Sequence, residues 1–338
     1  MKTTTYNYCA HAIDDLSKQI RQMEQENMPN AADATKSLRD GLKNAVKFII
    51  PKGGKLFDRG VPTRGELELF RLPFPIVAAE YPALHTEADD VDSQYNTNLC
   101  SKRIALAFEV DETGHSAFFN FPEFPCGYTG ATIIWPIDYN DELGMWRPSW
   151  CGVLEFHGHP IEETTSADRA AARKEFKQSD MTLMKISPVV LHRDFFLLGE
   201  IGQRQQAFLK SSGLSPQYAQ NMDTAGEATA IRQMCAVLNC SNIETKTVTP
   251  SPKLNRKRAK KGKQPFFEYK ILEVVPQGAK KPHLGGTHAS PRIHLRRGHI
   301  RRLPEKQVWV QPCVVGEKKN GVIMKDYKIR DQQSSVAA

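Results

Sequence analysis

The sequence lacks the features of a membrane or secreted protein. No segment approaches the roughly 18 consecutive apolar residues that a membrane-spanning helix needs. The first residues, MKTTTYNYCAHAIDD, contain no apolar core followed by a small-residue cleavage site, so they do not indicate a secretory signal peptide. We therefore expect a cytoplasmic protein with no membrane partner.

Motifs for metals and cofactors are also scarce. The seven cysteines are scattered, and no two of them form a CxxC pair, so neither a zinc site nor a disulfide framework is indicated. KKGKQP is not a phosphate-binding loop, which would require GxxxxGK followed by Ser or Thr. EFHGHP would place His157 and His159 on one face of a strand, but so short a cluster is weak support for a metal site. We expect no cofactor and no metal.

Helical and strand-like patterns divide the chain. Apolar residues near the start recur at three- and four-residue steps, which is the spacing of one helix face. They are Ile13, Leu16, Ile20 and Met23 in a first helix and Leu38, Leu42, Val46 and Ile49 in a second. Short apolar runs between turn signals then predict strands at residues 75–81, 103–110, 116–121, 131–137 and 151–158. The prediction is an α+β protein: an N-terminal helical pair, a mixed and mostly antiparallel sheet body, and a small basic C-terminal β domain.

Charge is distributed unevenly. The chain carries a formal net charge of +8, but residues 251–306 alone hold 16 Lys and Arg against 3 Asp and Glu. Composition and turn signals predict four parts. They are a mildly acidic α+β body (1–239), a basic linker or arm (240–265), a basic β-rich domain (266–330) and a frayed tail (331–338).

The basic segment indicates a polyanionic partner, most often nucleic acid, although a charged linker can also serve solubility alone. Candidate phosphate contacts in the arm are Lys253, Arg256, Lys257, Arg258, Lys260, Lys261 and Lys263. Candidate contacts in the following domain are Arg292, Arg296, Arg297, Arg301 and Arg302. We expect a nucleic-acid partner, with RNA favoured over DNA, and the oligomeric state stays open.

The segment RIHLRRGHIRRL places two histidines among these arginines. In one continuous strand His294 and His299 would point to opposite faces, and a bulge at Gly298 would bring them to one face. Two imidazoles can cleave RNA without a metal, because one takes the proton of the 2′-hydroxyl and the other protonates the leaving oxygen. Lys325 and Tyr327 could complete such a catalytic site. The alternative is a strand that binds phosphate without turnover.

The C-terminal part of the chain carries a resemblance. NRKRAKKGKQPFFEYKIL, ASPRIHLRRGHIRRL, VWVQPCVVG and KDYKI together resemble the C-terminal signature of a group of uncharacterised tailed-phage and prophage proteins, over about residues 235–330. The resemblance implies a phage-encoded protein that works in a bacterial cytoplasm, and it implies no established activity. We expect a nucleic-acid-binding protein, with metal-independent endoribonuclease activity as an open extension. The alternative is a non-enzymatic interaction or assembly protein whose basic domain docks on an acidic protein partner.

Overall fold

The computed structural model describes a large part of the chain as two compact units. The described residues are 5–57, 67, 70–83, 100–116, 128–158, 165–167, 170, 193–274, 292–296, 299–310, 313–315 and 317–322. The first unit comprises Met1–Asn239 and Ile243–Glu273, and the second comprises Cys240–Asn242 and Val274–Ala338. None of the described helices is both long enough and apolar enough to cross a membrane.

The first unit combines helices with a large mixed sheet. Its helices are α1 (Tyr8–Gln25), α2 (Pro29–Asn44), α3 (Gly199–Ser211), α4 (Pro216–Leu238) and α5 (Pro252–Lys260), with a short 3-10 turn at Lys52–Gly54. Its strands are β1 (Val46–Ile49), β2 (Ile76–Pro82), β3 (Cys100–Val110), β4 (Gly130–Asn140), β5 (Met145–Pro148), β6 (Cys151–His157), β7 (Arg193–Leu197), β8 (Ile243–Val248) and β9 (Tyr269–Val274). The predicted α+β class, with two N-terminal helices and a mixed sheet, is confirmed.

The nine strands form one sheet. Its order is β7-β6-β4-β3-β2-β1-β9-β8, and β5 pairs with β4 beside this path. Strand β1 runs parallel to β2 and to β9, whereas the pairs from β2 to β7 are antiparallel. The sheet therefore joins an N-terminal strand directly to one that lies more than 200 residues later in the chain.

Helices cover both faces of this sheet. Because side chains alternate along a strand, neighbouring residues of β3 enter different cores. Leu106 and Phe108 pack with Leu16 of α1 and Leu42 of α2, while Ala105 and Ala107 share the other core with Ile231 and Met234 of α4. The central strands are thus buried from both sides, which explains why they read as almost continuous apolar runs.

Two segments differ from the sequence predictions. The second helix was expected to reach Ile49, but α2 ends at Asn44 and Val46–Ile49 forms β1. The apolar spacing of VKFI fits a helix, yet its β-branched and aromatic residues are stabilised by pairing with β2 and β9. The segment expected to be a linker contains β8 and α5, and both belong to the first unit.

The start of α1 depends on a carboxylate from another element. Asn7, the residue before the helix, makes no side-chain cap hydrogen bond. Glu80 of β2 is fully buried and accepts hydrogen bonds from the backbone amides of Tyr8 and Cys9, at 3.0 and 2.7 Å. It also accepts one from the Tyr269 hydroxyl of β9, at 2.7 Å. One buried side chain therefore joins α1, β2 and β9, and its negative charge suits the positive end of the helix dipole.

We expect Glu80→Ala to destabilise the first unit by at least about 2 kcal/mol, since a buried donor that loses its acceptor costs about 1–3 kcal/mol. Urea unfolding followed by tryptophan fluorescence measures the change. Tyr269→Phe is the matched control, because it removes only one of the three donors and should cost about 1 kcal/mol. A Glu80→Ala variant no less stable than Tyr269→Phe would contradict this account of the helix start.

The second unit contains short strands. Strand β10 (Arg292–Arg296) pairs antiparallel with β13 (Cys313–Val315) and parallel with β14 (Glu317–Val322). Strands β11 (His299–Leu303) and β12 (Lys306–Val310) form a separate hairpin, in which Leu303 pairs with Lys306 across a turn at Pro304 and Glu305. The single strand expected over residues 292–303 is instead two strands with different partners.

Candidate nucleic-acid interface

A cleft opens on the first unit beside the exposed side of α1. Its volume is about 770 Å³. Its walls are one side of α1 as far as Arg21, Lys102 of β3, the β4–β5 hairpin and the turn that follows α5. The residues of this last turn, Lys261–Lys263, belong to the basic segment that the sequence singled out. The cleft lies entirely within the first unit.

Aromatic rings form one wall of the cleft. Tyr6 stacks on Tyr8 with ring centroids 5.1 Å apart and an angle of 19°. Tyr8 lies 5.2 Å from Trp146, which in turn meets Tyr139 edge-on at 5.5 Å. Trp146 is buried, whereas the three tyrosines are half-buried. The result is a row of rings that begins at Tyr6 and ends at Tyr139.

The backbone conformation of Asn7 makes this stack possible. Asn7 lies in the left-handed region with φ 59°, which asparagine tolerates better than most residues. The chain therefore reverses locally between the two tyrosines, and rings two residues apart come face to face. Burial, followed by the neighbouring Tyr6 and Glu80, raises the pKa of Tyr8 to about 12. The Tyr8 phenol is consequently neutral at physiological pH.

Basic side chains surround the aromatic wall. Lys18, Arg21, Lys102, Lys261 and Lys263 line the cleft, against two acidic residues, Asp14 and Asp15. Both carboxylates are already engaged within the protein. Asp14 accepts from Arg258 and from the Gln264 amide, each at 2.8 Å. Asp15 accepts from Lys18 at 2.9 Å and from the Trp146 amide at 3.2 Å. The remaining cations give the cleft a positive character.

The candidate contacts of the arm separate into two groups. Lys253, Arg256, Lys257, Lys260, Lys261 and Lys263 are exposed, and the last two line the cleft. Arg258 is different, since only 8% of its surface is exposed and its guanidinium lies 4.3 Å from the centre of the Phe266 ring. Its ion pair with Asp14 makes it a structural residue of the first unit, so it is not available as a phosphate contact.

The candidate catalytic residues lie on separate elements or outside the described residues. His294 belongs to β10, where it pairs with Val315, and His299 belongs to β11, where it pairs with Val310. Lys325 and Tyr327 lie outside the described residues. The two histidines therefore lie on different strands with different partners. Gly298, where a bulge was expected, lies outside the described residues.

The candidate phosphate contacts of the second unit follow the same division. Arg292 and Arg296 lie on β10, and Arg301 and Arg302 lie on β11. The side chain of Arg301 is exposed. Arg297 lies outside the described residues. The arginines expected on one strand are thus distributed over two strands that belong to different sheets.

His157 has an interior position. It is buried at the end of β6, with Nε2 3.2 Å from the Thr132 hydroxyl and 3.7 Å from a carboxylate oxygen of Glu109. Burial, reinforced by the charge of Arg71, lowers its pKa to about 3, so the ring is neutral at physiological pH. His159 lies outside the described residues. Within the part of the chain that the structure describes, no group of three or more His, Cys, Asp or Glu residues could hold a metal ion.

The aromatic wall was missed by sequence reasoning. Tyr6 and Tyr8 stand in a polar N-terminal stretch, while Tyr139 and Trp146 are separated from them by more than 130 residues. The Tyr-Asn-Tyr spacing, with a residue that tolerates the left-handed region between two rings, was the only local signal of a stack.

Comparisons with known proteins identify no relative of this chain. No protein-family model matches the chain, and no curated protein and no solved structure matches it. The functional interpretation therefore depends on the geometry and charge of the cleft and on the basic segment beside it.

Proposed function

We propose that this protein binds single-stranded nucleic acid in the cleft, with RNA favoured over DNA. The observation that carries the proposal is the row of aromatic rings beside exposed lysines, two of which come from the basic segment. In line with the phage resemblance of the C-terminal part, we propose that it is phage-encoded and acts in the bacterial cytoplasm.

The aromatic rings support binding of unpaired bases. Stacking of a base on an aromatic side chain contributes about 1–3 kcal/mol, and it tolerates any base because each has a π-face. Bases in a duplex are already stacked on each other, so Tyr6 would favour single strands. RNA is favoured because unpaired loops and bulges are its usual protein targets.

The charges support backbone contacts rather than base readout. Lys261, Lys263 and Arg21 are exposed at the cleft and suit phosphate groups. The carboxylates of Asp14 and Asp15 are occupied by internal donors, so they are poor acceptors for base amino groups. We therefore expect weak sequence preference and strong salt dependence.

The double variant Lys261→Ala/Lys263→Ala tests the phosphate contacts. Fluorescence anisotropy with a labelled 12-nucleotide RNA should show weaker binding. The slope of log K against log salt concentration should become shallower by about 1.4, since each phosphate neutralised on a single strand contributes about 0.7. Lys210→Ala/Lys246→Ala is the charge-matched control, because both lysines are exposed and neither lines the cleft.

Three outcomes of this titration would count against the proposal. An equal loss of RNA affinity in the control variant would show that binding depends on net charge rather than on the cleft. Equal affinity for duplex DNA would contradict stacking on unpaired bases. Tighter binding of polyglutamate than of RNA at the same salt concentration would favour the alternative, an acidic protein partner.

Tyr6→Ala tests the stacking contact. We expect RNA affinity to fall about tenfold, within the range for loss of one base–aromatic contact, while the salt slope stays unchanged. Tyr6→Phe keeps the ring and should bind like the wild type. A Tyr6→Ala variant with unchanged affinity would remove the aromatic wall from the binding site.

Cleavage of RNA by His294 and His299 stays a prediction, and it has its own test. Wild type, His294→Ala and His299→Ala are incubated with labelled RNA in EDTA, and products are separated on a gel. If both imidazoles act, each variant should lose most of the activity, because each supplies one proton transfer. Equal cleavage by all three proteins would reject this catalytic assignment, and no cleavage by the wild type would reject the nuclease prediction.

A further inference from the structure

We infer that Asp14 is a positioning residue for the cleft: its carboxylate holds the turn that presents Lys261 and Lys263, without itself contacting nucleic acid. The inference rests on the proposed function. A binding site for a polyanion would be expected to lack acidic residues. The inference explains why this cleft contains one.

Asp14 fixes the turn from both ends. Its Oδ2 accepts from Nη2 of Arg258, on the last turn of α5, at 2.8 Å. Its Oδ1 accepts from the backbone amide of Gln264, just after Lys263, also at 2.8 Å. Arg258 Nε closes the ring of contacts by donating to the Gln264 carbonyl at 2.6 Å. Each end of the lysine turn is thus tied to the same carboxylate on α1.

The turn itself has a defined backbone. The amides of Lys261 and Lys263 donate to the Arg258 carbonyl at 2.9 and 3.1 Å, and the Gly262 amide donates to the Ala259 carbonyl at 3.0 Å. Gly262 has φ 63°, a conformation that glycine adopts without strain. These bonds extend α5 by one tight turn, so the direction of α5 decides where both lysines lie.

The ion pair is shielded from water. The side chains of Arg258 and Asp14 are only 10% and 19% exposed. The guanidinium is covered by Phe266, whose ring the His11 ring meets at 5.6 Å. A charge-assisted contact of this kind is stronger and more directional than an exposed lysine pair. It can therefore hold the turn in place before any ligand binds, which reduces the ordering cost of binding.

The test uses the sign of the effect. Asp14→Asn removes a negative charge from the cleft, so a purely electrostatic role predicts tighter RNA binding. A positioning role predicts the opposite. RNA affinity should fall about tenfold or more, because two lysine side chains lose their fixed placement. Asp33→Asn, an exposed acidic residue of α2 outside the cleft, is the charge-matched control and should leave affinity unchanged or slightly higher.

A double-mutant cycle separates positioning from general damage. In the Lys261→Ala/Lys263→Ala background, Asp14→Asn should have little further effect on RNA affinity, because the residues that it positions are gone. Hydrogen exchange should show faster exchange of the Gln264 amide in Asp14→Asn, with α1 amides unchanged. Arg258→Lys, which keeps the charge but loses the two-pronged contact, should show a partial loss and serves if Asp14→Asn does not fold.

The outcomes distinguish this inference from the proposed function. Tighter or unchanged binding by Asp14→Asn, or full additivity with the lysine changes, would overturn the positioning role and leave the cleft as a binding site. Wild-type affinity in Arg258→Lys would overturn it equally. Absence of RNA binding by the wild type, or no effect of the lysine changes, would refute the proposed function itself.

Discussion

The buried carboxylate of Glu80 is the contact on which the arrangement of the first unit depends. Burial raises the pKa of this group, while hydrogen bonds from α1 and from Tyr269 favour its charged form. An unpaired carboxylate at this depth would be strongly unfavourable, so the stability of α1, β2 and β9 is linked through Glu80. A partly exposed carboxylate accepts from the start of α2 in a similar way, since the amides of Asn30 and Ala31 donate to Glu200 of α3. Both N-terminal helices begin on a carboxylate supplied by a distant part of the chain.

The two walls of the cleft follow from this constraint. Anchoring the first turn of α1 places Tyr8 against Trp146, and Tyr6 stacks on Tyr8. Anchoring Tyr269 fixes β9, and the short connection back to α5 then limits where Lys261 and Lys263 can lie. The Asp14–Arg258 pair completes the placement from the side of α1. Fold stability and the geometry of the candidate site thus share their contacts, and a substitution near Glu80 would affect both.

Sequence periodicity identified the elements whose own residues determine their structure. Helix α1 and the central strands were predictable because burial on one or two faces leaves a repeating apolar pattern. Strand β1 was not, because VKFI fits both periods and only its partners β2 and β9 decide between them. Helix α5 was taken for a linker, since its nine residues are largely polar and its stability comes from contacts of Arg258 and Asn255 with distant residues or turns. The aromatic wall could not be predicted either, because its rings come from parts of the chain that are distant in sequence.

Charge composition identified the basic segment, but it did not show which of its basic residues are structural and which are exposed for binding. Seven basic residues between Lys253 and Lys263 look equivalent in the sequence. In the folded chain, Arg258 is neutralised by Asp14 and shielded by Phe266, and the other six remain exposed. A guanidinium suits the buried role because its planar fork satisfies a carboxylate and a carbonyl at once, which an ammonium group does less well. Lysine suits the exposed role, where a flexible point charge can follow an irregular backbone. An acidic residue in a basic cleft is then consistent with polyanion binding, since its charge is cancelled where it orders the residues that bind.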